Sequence, residues 1–233
     1  MVGLDLPQQP SNLGAVMILC WSSKGGSGTT VVSSALAILA SASHATTLFD
    51  LCGDIPAALG VAEPSGPGLA DWMQSPLAAD TGLSSLSTEV TSTLQLVHRG
   101  NGSLPAHRWS TVADSIAASV HGEVVIDAGS MAPPDELRHL ADICLLVVRP
   151  CYLALRRAIT VDPALHSWVT GVVLVSEPGR VLRRADVERS IGVPVVAEIP
   201  VDPGVARAVD AGLLLSRLPR TLSLPLSNAL HTT

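Results

Sequence analysis

The sequence predicts an α/β fold, a mainly parallel sheet flanked by helices on both faces. Three observations carry that expectation. Short apolar runs alternate along the chain with longer stretches of helical spacing, the order expected of repeated strand–helix–strand units. Several runs are continuously apolar instead of alternating with polar residues, as strands covered on both faces are. Charged residues make up 15% of a chain that is 47% hydrophobic, a balance that favours a sheet buried on both sides. At 233 residues, one such domain accounts for the length.

Residues 1–14 are expected as a flexible arm, short, proline-containing and charged only at Asp5. Residues 15–21 form a compact apolar run that stops at a glycine-rich turn, hence a strand. Residues 29–42 are small and apolar without Pro or Gly, long enough for a helix. Residues 46–51 read as a second strand, with Asp50 at its end. Residues 60–93 are rich in Gly, Pro, Ser and Thr and read as an insertion or surface excursion, with one short helix at 69–74. A strand at 94–98 then meets the Gly100-Asn101-Gly102 turn.

Beyond it come a helix at 110–120 and a strand at 123–127 that ends in Asp127-Ala128-Gly129. A strand at 143–149 is closed by Pro150, and a helix follows at 152–161. The rest of the pattern gives a strand at 171–176, a helix at 184–191, a strand at 195–199 and a helix at 205–212. One domain therefore spans 15–218. Residues 219–233, with Pro225 and a single charge at Arg220, are expected as a C-terminal tail and are weak material for a membrane anchor.

Between the first strand and the first helix lies Ser22-Ser23-Lys24-Gly25-Gly26-Ser27-Gly28-Thr29-Thr30. Glycines let the backbone curl until consecutive N–H groups point inward. The helix behind adds its free amides and its positive dipole end. Together they make a cradle for a phosphate, with the Thr30 hydroxyl placed to coordinate Mg²⁺. The alternative is a tight turn with no ligand. Composition argues for the cradle, because Lys24 is the only lysine among fourteen basic residues. Inside a tight glycine loop, a compact ammonium on a flexible stem is a readier fit among phosphate oxygens than a broad planar guanidinium.

This loop resembles the deviant Walker A loop of the ParA/MinD family, K-G-G-x-G-K-T. Lys24, Gly25, Gly26, Gly28 and Thr30 match it; Thr29 stands where the family's second lysine belongs. The resemblance implies a P-loop NTPase-like fold that binds ATP or ADP with Mg²⁺. It also implies a homodimer through the nucleotide face, with Lys24 reaching the partner's nucleotide. Lys24 to Thr30 would hold the phosphates, and Thr30, Asp50 and Asp127 the metal. Family members often read D-x-D after the second strand, the second carboxylate positioning the attacking water. Here Cys52 occupies that place, so either Asp54 substitutes or the group is lost. Ser176 stands where the family has an adenine-reading Asn, and Pro200 and Asp202 fall in the loop beside the base. Loss of the Thr29-position cation removes a charge-assisted contact of about 1.5–3 kcal/mol, which makes efficient ATP hydrolysis an unexpected property.

The run Asp50-Leu51-Cys52-Gly53-Asp54-Ile55-Pro56-Ala57-Ala58-Leu59-Gly60 is similar to the TadZ/CpaE branch, whose members position pilus secretion machinery at the pole or septum. The expectation is thus an ATP-responsive, dimerising positioning scaffold with weak or absent hydrolysis, serving protein partners of a secretion, pilus or division apparatus. A cycling Mg-ATPase of the MinD type and a nucleotide-free interaction module remain alternatives.

Other classes find little support. A net charge of −6 argues against nucleic acid as a partner, and the basic stretch Arg180–Arg189 reads as a solvated helix face. Four cysteines form no C-x-x-C pair and seven histidines are scattered, so neither a disulfide framework nor a zinc site is expected. No run reaches the ~18 apolar residues of a membrane span, and residues 1–14 lack the basic start of a signal peptide. A cytoplasmic protein is expected, polar or septal by the resemblance, touching membranes only through partners.

Overall fold

The computed structural model describes residues 16–76, 82–119 and 121–230; the proposed arm at 1–14 lies outside them. Eight strands form one sheet: β1 (Met17–Trp21), β2 (Thr46–Asp50), β3 (Thr88–Glu89), β4 (Leu94–Val97), β5 (Glu123–Asp127), β6 (Ile143–Val148), β7 (Gly171–Ser176) and β8 (Val195–Pro200). Their order is β3-β4-β2-β5-β1-β6-β7-β8. Every pairing is parallel except β3 with β4, which is antiparallel at the edge. The expected α/β architecture is what forms.

The helices are α1 (Thr29–Ser41), α2 (Ile55–Leu59), α3 (Leu69–Gln74), α4 (Trp109–Ser119), α5 (Asp135–Leu140), α6 (Tyr152–Val161), α7 (Arg184–Ile191), α8 (Pro203–Asp210) and α9 (Arg220–Leu230). One apolar cluster joins α3 to α7 to one face of the sheet through residues such as Trp72, Val112, Leu137, Leu155 and Val187. A second packs α1, α2, α8 and α9 on the other face through Leu36, Ile55, Val205 and Leu226. Continuous burial of β1, β2 and β6 follows, since both of their faces are covered.

Besides the short helices α2 and α5, which the sequence pattern does not give, three parts of the chain depart from the sequence expectations. Residues 220–230, set apart as tail, form α9, whose Leu222, Leu226 and Ala229 are buried against the α1 face. Burying that apolar stripe outweighs the hydrogen bond lost at Pro225 inside the helix. The 60–93 excursion supplies α3 as expected and also the edge strand β3. The last expected helix starts at Pro203 instead of 205, because Asp202 caps it by accepting from the Gly204 N–H at 2.7 Å.

Behind the first strand an indole pair fixes the sheet to the α5 layer. The rings of Trp21 and Trp168 stand 5.2 Å apart at 31°, and the Arg138 guanidinium lies 4.1 Å over the Trp168 ring. Trp168 Nε1 donates to Asp162 at 2.7 Å. The arginines at 180, 184 and 189 pair with Glu177, Glu188 and Asp186 on the same segment, in keeping with a solvated helix face. Among the described residues no helix is long and apolar enough to cross a membrane.

Candidate functional site

β1 lies near the middle of the sheet, and the chain leaves its carboxyl end directly into the glycine loop, where ligands of such sheets gather. Gly26 and Gly28 have φ of 76° and 92°, a left-handed backbone that an L side chain rarely adopts. Gly28 also caps α1, without any side chain satisfying the helix's first amides. From Lys24 to Gly28, no backbone N–H donates to a protein acceptor among the described residues.

The loop is braced from behind. The Ser22 N–H and hydroxyl both reach the Gly129 carbonyl, at 2.7 and 2.9 Å. The Ser27 hydroxyl donates to the Lys24 carbonyl at 2.7 Å, and Ser23 to the Ala154 carbonyl of α6 at 2.8 Å. A β-carbon added at Gly25, Gly26 or Gly28 meets nothing within 4 Å, so these glycines border open space. That space is a cleft of about 500 Å³, lined by Gly25 to Thr30 and, across from them, by Cys52, Asp54, Arg99 and Ser130.

Two buried carboxylates stand at the carboxyl ends of neighbouring strands, outside the residues that line the cleft. β5 places Asp127 level with Cys20 of β1 and with Asp50 of β2. Asp127 is fully buried. Its Oδ1 accepts from the Gly129 N–H at 3.0 Å, while Oδ2 has no hydrogen-bond partner. Burial pushes its pKa up to about 7, against the pull of the neighbouring Thr30 hydroxyl and the Gly129 amide. Asp50 is buried as well, but both its oxygens are engaged. Oδ1 accepts from Cys52 N–H at 2.9 Å and Gly53 N–H at 2.6 Å, and Oδ2 from Ile55 N–H at 3.1 Å. Burial raises its pKa, and those three amides oppose the rise.

The other expected residues divide. Gly25, Gly26, Ser27, Gly28, Thr29, Thr30 and Asp54 line this cleft; Lys24 does not. It is half-exposed. Pro200 and Asp202 line a second cleft of about 230 Å³, which shares Ser27, Gly28 and Val31 with the first. Its wall is largely apolar, with Val175, Ile199, Val205 and Val209, and carries Arg149, a surface suited to the flat faces of a base. Ser176 is not part of either lining; its carbonyl accepts from Val201 N–H at 2.8 Å.

Sequence reasoning named Cys52 only as a departure and missed Arg99. Cys52 faces the cleft beside Gly129, where its sulfur leaves no room for a β-carbon on that glycine. Burial, with Asp127 and Asp50 nearby, pushes its pKa to about 12, so the thiol stays neutral and is no nucleophile. All four cysteines are free. No three His, Cys, Asp or Glu side chains among the described residues form a metal cluster.

Solved structures decide the fold. A ParA family ATPase from Chlorobium tepidum TLS superposes with a TM-score of 0.77 at 19% identity, over 94% of this chain and 99% of that one. The fold is that of the ParA/MinD ATPases. MinD of Pyrococcus horikoshii OT3, the septum site-determining protein complexed with Mg-ADP, gives 0.74 at 18% identity over 94% and 96%. A complex of a Cyanothece McdA variant with ATP gives 0.72 at 16% over 93% and 95%. No family model matches the sequence, and no curated protein matches it. Within the ParA/MinD fold, the glycine loop of this chain keeps an open cradle with uncommitted amides beside a buried acid with one unpartnered oxygen.

Proposed function

We propose that the chain is a nucleotide-responsive positioning scaffold that binds ATP or ADP with Mg²⁺ and turns it over weakly or not at all. The observation that carries this reading is the run of backbone amides from Lys24 to Gly28, without protein acceptors, opening on a cleft. Unpaired amides at a helix N-terminus are an anion site. The bare Oδ2 of Asp127 beside Thr30 suits the coordination sphere of Mg²⁺, which takes few protein ligands and completes its shell with phosphate oxygens and water. Asp50 shapes the loop that faces it. Bound Mg²⁺ would neutralise phosphate charge; Thr30 and Asp127 would hold it, and the neighbouring apolar cleft would receive the base.

Thr29 lacks the charge that stabilises a phosphoryl-transfer transition state, which points to occupancy instead of turnover as the signal. Lys24, half-exposed and outside the cleft, has no ion-pair partner among the described residues. It is free to reach a second copy across a nucleotide-bridged dimer face. The likeness of residues 50–60 to the TadZ/CpaE branch favours the cytoplasmic pole or septum for such a dimer, on a pilus secretion or division apparatus. A related precedent is the MinC:MinD complex of Aquifex aeolicus, which this chain matches at a TM-score of 0.75 and 18% identity.

One observation favours the cycling-ATPase alternative: Asp54 is the one carboxylate lining the cleft among the described residues, where it can orient a water. The test is a titration with labelled ATP, with and without Mg²⁺, alongside light scattering and phosphate release. Mg²⁺-dependent binding and a Lys24-dependent doubling of mass without release support the scaffold. Release abolished by Asp54→Ala supports the enzyme, and no binding at millimolar ATP rejects both.

A further inference from the structure

The phosphate cleft has a cation, and the glycine loop does not supply it. Among the described residues, the only basic side chain lining this cleft is Arg99. β4 runs parallel to β2, with Val97 level with Phe49. Arg99 therefore leaves the sheet on the same edge as Asp50, Asp127 and the loop. Its stem lies against the backbone after β2, where a β-carbon on Gly53 would sit 3.6 Å from Arg99 Cδ.

The turn that carries Arg99 is held from several sides. Leu69 N–H donates to the His98 carbonyl at 2.9 Å and Ala70 N–H to the Arg99 carbonyl at 2.8 Å, so the first turn of α3 closes on Arg99 itself. The Asp71 carboxylate accepts from Gly68 N–H at 2.8 Å and Asn101 N–H at 3.2 Å. The backbones of Gly68 and Gly100 approach too closely for a β-carbon on Gly68. An excursion with no evident task in the sequence thus fixes the position of one guanidinium.

That guanidinium is not neutralised. Nη1 and Nη2 donate to the Gly100 and Gly102 carbonyls at 3.3 and 2.8 Å, and no described carboxylate forms an ion pair with it. A guanidinium has five N–H donors in a planar fork, so two carbonyls leave others for an anion. Position along the sheet says which anion. The apolar cleft is built on β7 and β8, on one side of β1, whereas Arg99 follows β4 on the other side. A nucleotide with its base in the apolar cleft points the far end of its phosphate chain towards Arg99.

We infer that Arg99 is the phosphate-gripping cation of this site, contacting the terminal phosphate of a nucleoside triphosphate and replacing the charge absent at Thr29. The inference rests on the nucleotide-binding reading above and adds a preference for triphosphate over diphosphate. Its test compares the full chain with Arg99→Ala, Arg99→Gln and Arg99→Lys, measuring Mg-ATP and Mg-ADP affinities by calorimetry. Removing the charge is expected to weaken ATP about ten- to a hundred-fold and ADP by less than about three-fold, with Lys retaining part of the difference. Gln keeps a donor for the loop carbonyls, so the ATP:ADP ratio remains readable if the Ala variant melts. An unchanged ratio in a wild type that binds both nucleotides overturns this assignment alone. A wild type that binds neither overturns the nucleotide reading and this inference together.

Discussion

Asp50 and Asp127 stand level on adjacent parallel strands, yet the first gives its oxygens to three backbone amides and the second leaves Oδ2 bare. The two acids therefore have different jobs. One organises a loop; the other leaves an oxygen unpaired in the interior, at a cost in stability.

That cost depends on pH. The folded state holds the Asp127 proton up to about pH 7, whereas the unfolded chain releases it near 3.8. Between these values the native state binds more protons, so stability falls as pH rises, by on the order of 4 kcal/mol across the window. Asp127→Asn removes the charge and keeps an acceptor for Gly129 N–H. Thermal melts from pH 5 to pH 8 should show wild type losing ground to the variant, with Mg²⁺ and nucleotide restoring it. Parallel curves would contradict the buried-acid account.

Asp50→Ala should destabilise the protein by about 2–4 kcal/mol, since it strands buried amides that the carboxylate now satisfies. Asp50→Asn, which can still accept from Cys52 and Gly53, should cost less. Urea unfolding separates the two variants; equal losses would mean that charge, not acceptor geometry, organises the loop.

Thr29→Lys restores a cation to the glycine loop and should tighten ATP about ten-fold or more. Thr29 lines the cleft, so a lysine there would meet a phosphate bound in the proposed cradle. Affinity unchanged in a titration would show that the loop is not shaped around a triphosphate.

Leu226 of α9 is fully buried among residues of the α1 face. Leu226→Ala should cost about 2–5 kcal/mol, seen as a lower denaturation midpoint with an unchanged slope. A shift within error would return residues 219–233 to the status of a tail.

Most of the sheet was legible because its central strands are short and several are continuously apolar, and the glycine loop because its spacing fits a strand–helix junction; the edge strand β3, two exposed polar residues, carried no such signal. α9 was hidden by Pro225, which local propensity reads as a break and tertiary burial overrides. α2 is five residues with Pro56 at its start, too short for any periodicity. α5 follows Pro133-Pro134 and buries only Leu137. Arg99 was missed for another reason. It sits in a turn that reads as punctuation, and its neighbour in space, Gly53, is remote from it along the chain. The available signal was a lone cation at the carboxyl end of a strand expected to lie parallel to the one bearing Asp50.

The tilted indole pair has a practical consequence. Trp21 is the last residue of β1, immediately before Ser22, and its partner Trp168 is tied to α5 by Arg138. A rearrangement of the cradle on filling that reaches Ser22 would act on one ring of that pair. The intrinsic ultraviolet emission of the unlabelled chain should thus register occupancy, giving a dye-free readout for every titration above.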